Sequence, residues 1–289
     1  DAVTGLPLTQ RDGKYLAAND IHFPTTRDFG VDGKYTPVTI ASSDTDTIVP
    51  PDVNNAARAE VYRPLPGEAA KDVTVTVTIT DSDSGVSASR SFLIAVQPLT
   101  QAEIDAELAL MAAVRAHYFD GIRNANTDAK NILTDLHPFR EAYLDADGQL
   151  VWVYDHADLT GSGIVPVAMD GWTESEQWRL FRSTDPDVIS HENLLVTRAA
   201  GNKTVTVSSE LSSETLGKYA ARYPDNKDFQ ALSCQPVSVE LTVPGTEPVT
   251  PTPVDPTPVE PDHKALSVTF QLHTDTEMWI SPSVIGDLP

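Results

Sequence analysis

The chain has 289 residues, enough for two domains that each bury a core, with connecting material besides. Lys and Arg number 20 against 42 Asp and Glu, a formal net charge of -22, so nucleic acid and anionic lipid surfaces are electrostatically opposed as partners. The one cysteine, Cys234, excludes an intrachain disulfide framework and any multi-cysteine zinc site, and no run approaches the roughly 18 to 20 apolar residues that insert across a membrane.

Residues 1–18, with Gly5, Pro7 and Asp12-Gly13 and little periodicity, read as a lead-in segment. The opening at Asp1, without a signal-like apolar core, reads as that of a mature or trimmed segment. A first β unit, residues 19–98, opens at Asp20-Ile21-His22. Its clearest strand alternates Val73, Val75, Val77 and Ile79 with threonines, which puts a β-branched face into a core and a hydroxyl face toward water. The turn Asp81 to Gly85 and the return run with Phe92, Ile94 and Val96 on one face complete a hairpin.

A connecting helix is predicted over 99–126. Thr100 is placed to cap the Glu103 amide, Glu103 to reach back, and Leu99 to staple onto Ile104. Ile104, Leu108, Met111, Val114 and Tyr118 then recur at helical steps, and a single helix from Thr100 to about Ile122 would be roughly 34 Å long.

A second β unit is predicted over 127–244, and four anchors repeat in one order. Asp135-Leu136-His137 matches Asp20-Ile21-His22, and Ser183-Thr184-Asp185-Pro186-Asp187-Val188-Ile189 matches Ser42-Ser43-Asp44-Thr45-Asp46-Thr47-Ile48. Val196-Thr197-Arg198 matches Val61-Tyr62-Arg63, and Val205-Thr206-Val207 matches Val73-Thr74-Val75. The second copy carries two additions: about 26 residues with a hairpin turning at Asp145 to Gly148, and a short helix and loop from Leu216 through Phe229 ahead of a closing strand at Val237 to Val243. Residues 245–262 form a proline-spaced linker favouring polyproline II, and the 18 residues Pro244 to Pro261 would span roughly 56 Å if extended. Residues 263–289 read as the truncated start of a further β domain.

With Ser-[Ser/Thr]-Asp-x-Asp-x-Ile, a later Val-x-Arg and a Thr/Val strand, both units resemble the tandem bacterial immunoglobulin-like domains of Gram-positive cell-surface proteins. Ile40 and Phe181 stand where that family has tryptophan. The strand after the linker, with Thr274 to Ile280, resembles the first part of a small β domain similar to the C-terminal part of cobalamin carriers. The resemblance implies a mainly β fold, two Ig-like β-sandwich domains in tandem joined by an amphipathic α-helix. It also implies a non-catalytic extracellular spacer or adhesion-type region at the cell surface or wall, positioning a further domain. No cofactor and no catalytic residue is implied, and the chain is expected to be a monomer.

The residues themselves leave alternatives. G-x-S-x-G, S-x-x-K, H-E-x-x-H and P-loop patterns do not occur. Asp44/Asp46 and Asp185/Asp187 could offer oxygens to calcium or could bond turn amides. Asp145-Ala146-Asp147-Gly148 resembles half an EF-hand loop, but Tyr143 and Tyr154 occupy its end-ligand places, which makes it a hairpin turn. His191-Glu192, as strand neighbours, face opposite ways. His22 and His137 fit strand-edge roles. An intramolecular Lys-Asn isopeptide bond from Lys71 or Lys203 is a further alternative. Trp152, Trp172 and Trp178 are the candidate ligand residues of an alternative function, a carbohydrate-binding accessory region of a surface enzyme that meets a cell-wall or host glycan. Against that, Leu150, Trp152 and Tyr154 share one strand face in the pattern of a core wall.

Overall fold

In a computed structural model of the chain, residues 1–23, 36–51, 58–169 and 179–246 are described. Asp1–Pro248 forms one compact unit; Trp172, Trp178 and residues 263–289 lie outside the described residues. The described fold is mainly β, with three sheets.

The first hairpin pairs β7 (Lys71–Thr80) with β8 (Ser87–Val96) in unbroken antiparallel register from Lys71↔Val96 to Thr80↔Ser87. Asp81 Oδ1 accepts the Asp83 and Ser84 amides at 2.8 and 2.9 Å, closing the turn as an Asx motif. Val73, Val75, Ile94 and Val96 are buried on one face, and on the other Thr76, Thr78 and Thr80 bond to Ser91, Ser89 and Ser87. β1 (Gln10–Arg11), β2 (Lys14–Ala17) and β4 (Val38–Ser42) complete a sheet ordered β1-β2-β8-β7-β4. A second sheet of β3 (Ile21–His22), β6 (Arg58–Val61) and β5 (Ile48–Val49) closes the first apolar cluster, where Ile48, Ala59 and Val61 meet Val73 and Val75.

The segment read as a lead-in is therefore partly sheet. β2 runs parallel to β8 from Tyr15↔Ile94 to Ala17↔Val96, and Ala17 is fully buried. Four residues are too few to show a period, and their partner lies some 80 positions away.

The helix begins as its residues dictate. Thr100 Oγ1 accepts the Glu103 amide at 3.2 Å, and Glu103 Oε2 accepts the Thr100 amide at 2.7 Å. It does not run unbroken to Ile122: α1 (Gln101–Ala116) stops at His117, whose backbone leaves the helical region, and α2 (Tyr118–Ile122) follows as a separate short helix. Just past the break Tyr118 is buried, its ring edge-on to Phe139 with centroids 6.3 Å apart. Ile104, Met111, Val114 and Tyr118 are buried as the stripe requires, with Leu108 at its margin. The stripe packs into the second apolar cluster.

That second cluster lies on a six-stranded sheet of β9 (Glu141–Leu144), β10 (Leu150–Val153), β11 (Ile164–Val167), β12 (Arg182–Ser183), β13 (Lys203–Ser213) and β14 (Gln235–Val243). β13 is its spine. It pairs β14 along Lys203 to Leu211, and β12 and β11 at Val207–Ser208 and Glu210–Ser213. Val205, Val207, Ser209, Leu211 and Ser213 alternate inward and are all buried. Two short helices, α3 (Tyr219–Arg222) and α4 (Lys227–Gln230), occupy the connection from β13 to β14, where the inserted element is expected.

Several anchor bonds recur in both copies of the repeat. Asp44 and Asp185 each accept, at the main-chain carbonyl, the amides three and four residues on, at 3.2 and 3.0 Å in the first copy and 3.1 and 3.0 Å in the second. Ser43 bonds the backbone of Thr74 in both directions, as Thr184 does that of Thr206. Asp20 Oδ1 accepts the Val61 amide at 2.8 Å and Asp135 Oδ1 the Val196 amide at 2.7 Å. Arg63 then donates to the carbonyls of Gln97 and Pro98, just past β8, and Arg198 to those of Pro244 and Gly245, just past β14. Each copy thus ties its middle to its exit with one planar, five-donor guanidinium.

Candidate functional site

The densest polar and aromatic arrangement lies where α3 meets Asp20, Tyr62 and Arg63. Its position is set locally. Leu216 donates its amide to Ser213 Oγ at 2.9 Å and Gly217 its amide to the Ser213 carbonyl at 2.9 Å, folding the chain back at the end of β13. A Cβ at Gly217 would come within 2.5 Å of that carbonyl oxygen, so the close approach requires glycine. Behind α3, Asn226 Oδ1 caps α4 through the Asp228 and Phe229 amides, and the buried Phe229 ring stacks on Tyr219 at 5.0 Å.

Braced this way, α3 presents three side chains. Tyr219 is 1% exposed, and its phenolic oxygen accepts the Arg63 amide at 2.6 Å. Burial pushes its pKa up to about 12. Lys218 pairs with Asp20, itself 6% exposed, whose other oxygen accepts from Arg58 Nε at 3.0 Å. Arg222 donates to the Asp46 carbonyl and lies over the Tyr62 ring, 3.5 Å from its centroid, while Tyr62 meets Tyr219 edge-on at 5.5 Å. The two apolar clusters are thereby joined by charge-assisted bonds and ring contacts.

Arg63 extends the joint to α1 through a two-pronged bond with Glu103, at 2.8 and 3.2 Å. Burial alone would raise the Glu103 pKa, but Arg63 and Thr100 together hold it below the usual carboxylate range. Beneath these groups is a cavity of about 270 Å³, lined by Asp20, Arg63, Glu103, Glu107, Lys218 and Tyr219 among others. Burial pushes Glu107 up to about 7, opposed by hydrogen bonds from the Ser213 and Thr215 hydroxyls, and its Oε2 is buried with no hydrogen-bond partner among the described residues. Glu214, paired with Arg58 at 3.7 Å, is also raised, by burial and then by the charge of Glu141. Glu141 is held low despite its burial, because it accepts from the Thr160, Ser162 and Gly163 amides and the Thr160 hydroxyl.

Residues singled out in the sequence are placed elsewhere. Trp152 is half-buried, its ring edge-on to Phe139 at 4.8 Å and against Gly121, where a Cβ would meet it at 2.4 Å. That is the core-wall position for Trp152, while Trp172 and Trp178 lie outside the described residues. Asp44 caps its own turn, accepting the Asp46 and Thr47 amides at 3.0 and 3.2 Å, and Lys71 beside it lowers its pKa. Lys71 is thus engaged with Asp44 at 2.5 Å. Among the described residues no group of three His, Cys, Asp or Glu side chains is arranged to hold a metal ion. Asp145 closes its hairpin by accepting the Asp147 and Gln149 amides. His191 accepts the Ser183 amide through Nδ1, Glu192 pairs with Arg179, and His137 stacks on Tyr154 at 4.5 Å. Sequence reasoning missed Lys218, Tyr219 and Arg222. The available signal was a basic and aromatic run, Lys218 to Tyr223, in an addition carried by one repeat of an acidic chain.

No protein-family model matches the chain, and no curated protein matches it. Among solved structures, the crystal structure of human protocadherin-24 EC1-2 aligns over 75% of this chain and 85% of that chain, at 12% identity and a TM-score of 0.16.

Proposed function

We propose that the chain is a non-catalytic, extracellular spacer or adhesion-type region of a bacterial cell-surface protein. In this reading two Ig-like β-sandwich units stand in tandem and position a further domain. The observation that carries the reading is the joint at α3. A spacer needs a set angle between its units, and Lys218, Tyr219 and Arg222 reach from one apolar cluster to the backbone and side chains around the other. Interfaces between domains of one chain permit relative motion by default unless they are large or well bonded. Here the polar bonds are partly screened from solvent, where each is worth more than at an open surface. The net charge of -22 suits a soluble surface region and opposes nonspecific adsorption to anionic polymers.

The test uses the exposed Cys234 as one spin-label site and an Ala88→Cys substitution on β8 as the other. A narrow distance distribution is expected, broadening when Tyr219 and Arg222 are both changed to alanine. A broad distribution in the otherwise native chain would sink the rigid-spacer reading.

A further inference from the structure

We propose that the far end of the second β unit, a face built from Asp135, Asp187, Leu195 and Thr197, is a docking site for a further β unit of the same kind. That unit would present a lysine, a tyrosine and an arginine from one short helix, as α3 does here. The inference rests on the tandem-spacer reading and names the partner that the spacer would hold.

The two copies are equivalent at their anchors. Asp20 and Asp135 make the same bond to the same strand position, and Arg63 and Arg198 clamp the same exit carbonyls. These matches map Asp46 onto Asp187 and Tyr62 onto Thr197. In the first copy that face is occupied: Lys218 pairs with Asp20, Arg222 donates to the Asp46 carbonyl, and Tyr219 packs on Tyr62. In the second copy Asp135, Asp187 and Thr197 are all exposed.

A further observation favours an occupant with basic and apolar groups. Leu133 and Leu195 are 49% and 50% exposed, and Leu195 stands where the first copy has Glu60. Exposed leucines flanked by carboxylates suit a helix carrying both cations and an aromatic ring. Arg198 also holds the Pro244 and Gly245 carbonyls next to Thr197, as Arg63 holds the residues leading into α1.

The probe is a cyclised peptide with the sequence Leu216 to Leu232, added to the isotope-labelled full chain and followed by amide shifts. Saturable shifts confined to Leu133–Leu136 and Leu195–Arg198 are expected. Asp135→Asn should weaken binding at least tenfold, and Thr197→Tyr, which restores the ring of the first face, should tighten it severalfold. Absence of saturable shifts in the native chain overturns the proposal, whether or not the Thr197→Tyr chain binds; so does binding indifferent to Asp135→Asn. Either failure leaves the label distances across the α3 joint unchanged, so the spacer reading is judged separately.

Discussion

The backbone amide of Arg63 donates to the phenolic oxygen of Tyr219 at 2.6 Å, a bond between residues 156 positions apart. Tyr219→Phe keeps the ring in its stack with Phe229 and removes only the acceptor. The Arg63 amide is then left without that partner in a partly buried site, which costs about 1–3 kcal/mol. Tyr219→Ala also empties the space under Tyr62 and should cost about 3–5 kcal/mol. Urea unfolding of the two variants checks the order. Equal losses would mean that the hydroxyl contributes most of the effect and the ring little.

Asp20 and Asp135 provide an internal control. Both accept the amide of an equivalent valine, but Asp20 is buried between Arg58 and Lys218 while Asp135 is exposed. Asp20→Ala strands Lys218, leaves Arg58 to Glu214 alone and frees the Val61 amide, and should cost roughly 3–5 kcal/mol. Asp135→Ala loses one hydrogen bond at the surface, about 1 kcal/mol. Lys218→Met should recover part of the Asp20→Ala loss in a double-mutant cycle, because it removes the stranded charge. Additive losses would show that Lys218 and Asp20 are not energetically coupled.

Local chemistry made some features legible and left others hidden. The β7–β8 hairpin, the Thr100/Glu103 box and the paired aspartate turns all follow from residues within a few positions of one another. The anchors Asp20/Asp135 and Val61/Val196 were visible as matched residue types, though their hydrogen bond was not. The parallel pairing of β2 with β8 and the docking of α3 were invisible, because each joins segments far apart in sequence and has no period of its own. The break at His117 was hidden for a related reason. The helical pattern continues through Tyr118, and the ring that Tyr118 meets, Phe139, lies 21 positions further along the chain.

Glu107 makes the joint sensitive to pH. Its folded pKa is pushed up from 4.5 to about 7, so the folded chain holds this proton more tightly than the unfolded chain does. The stability due to neutral Glu107 is therefore fully present below about pH 4.5 and is lost as the pH rises through about 7, up to roughly 3 kcal/mol. Glu214, raised by burial and by Glu141, adds in the same direction. Glu107→Gln should flatten most of this slope and stabilise the chain at pH 8 while changing little at pH 4. A slope identical to that of the native chain would mean that Glu107 is solvated and that its unbonded Oε2 is not a cost.

Arg63 holds two exit carbonyls and the capping carboxylate of α1 at once, a set of acceptors that only a planar fork reaches. Arg63→Lys keeps the charge but replaces the fork with a single ammonium, so at least two of these bonds go. The loss should be about 1.5–3 kcal/mol, since the bonds are charge-assisted and the side chain is only 12% exposed. The effect should also be local. Amide exchange should speed up from Gln97 through Glu103 before the cores respond, because the clamp orders the stretch between β8 and α1. Arg198→Lys, with two carbonyls and a more exposed setting, should cost less and affect Pro244 to Thr246. If both substitutions proved equally mild, the joint would owe its order to α3 alone, and the repeated clamp would serve only to close each β unit on itself.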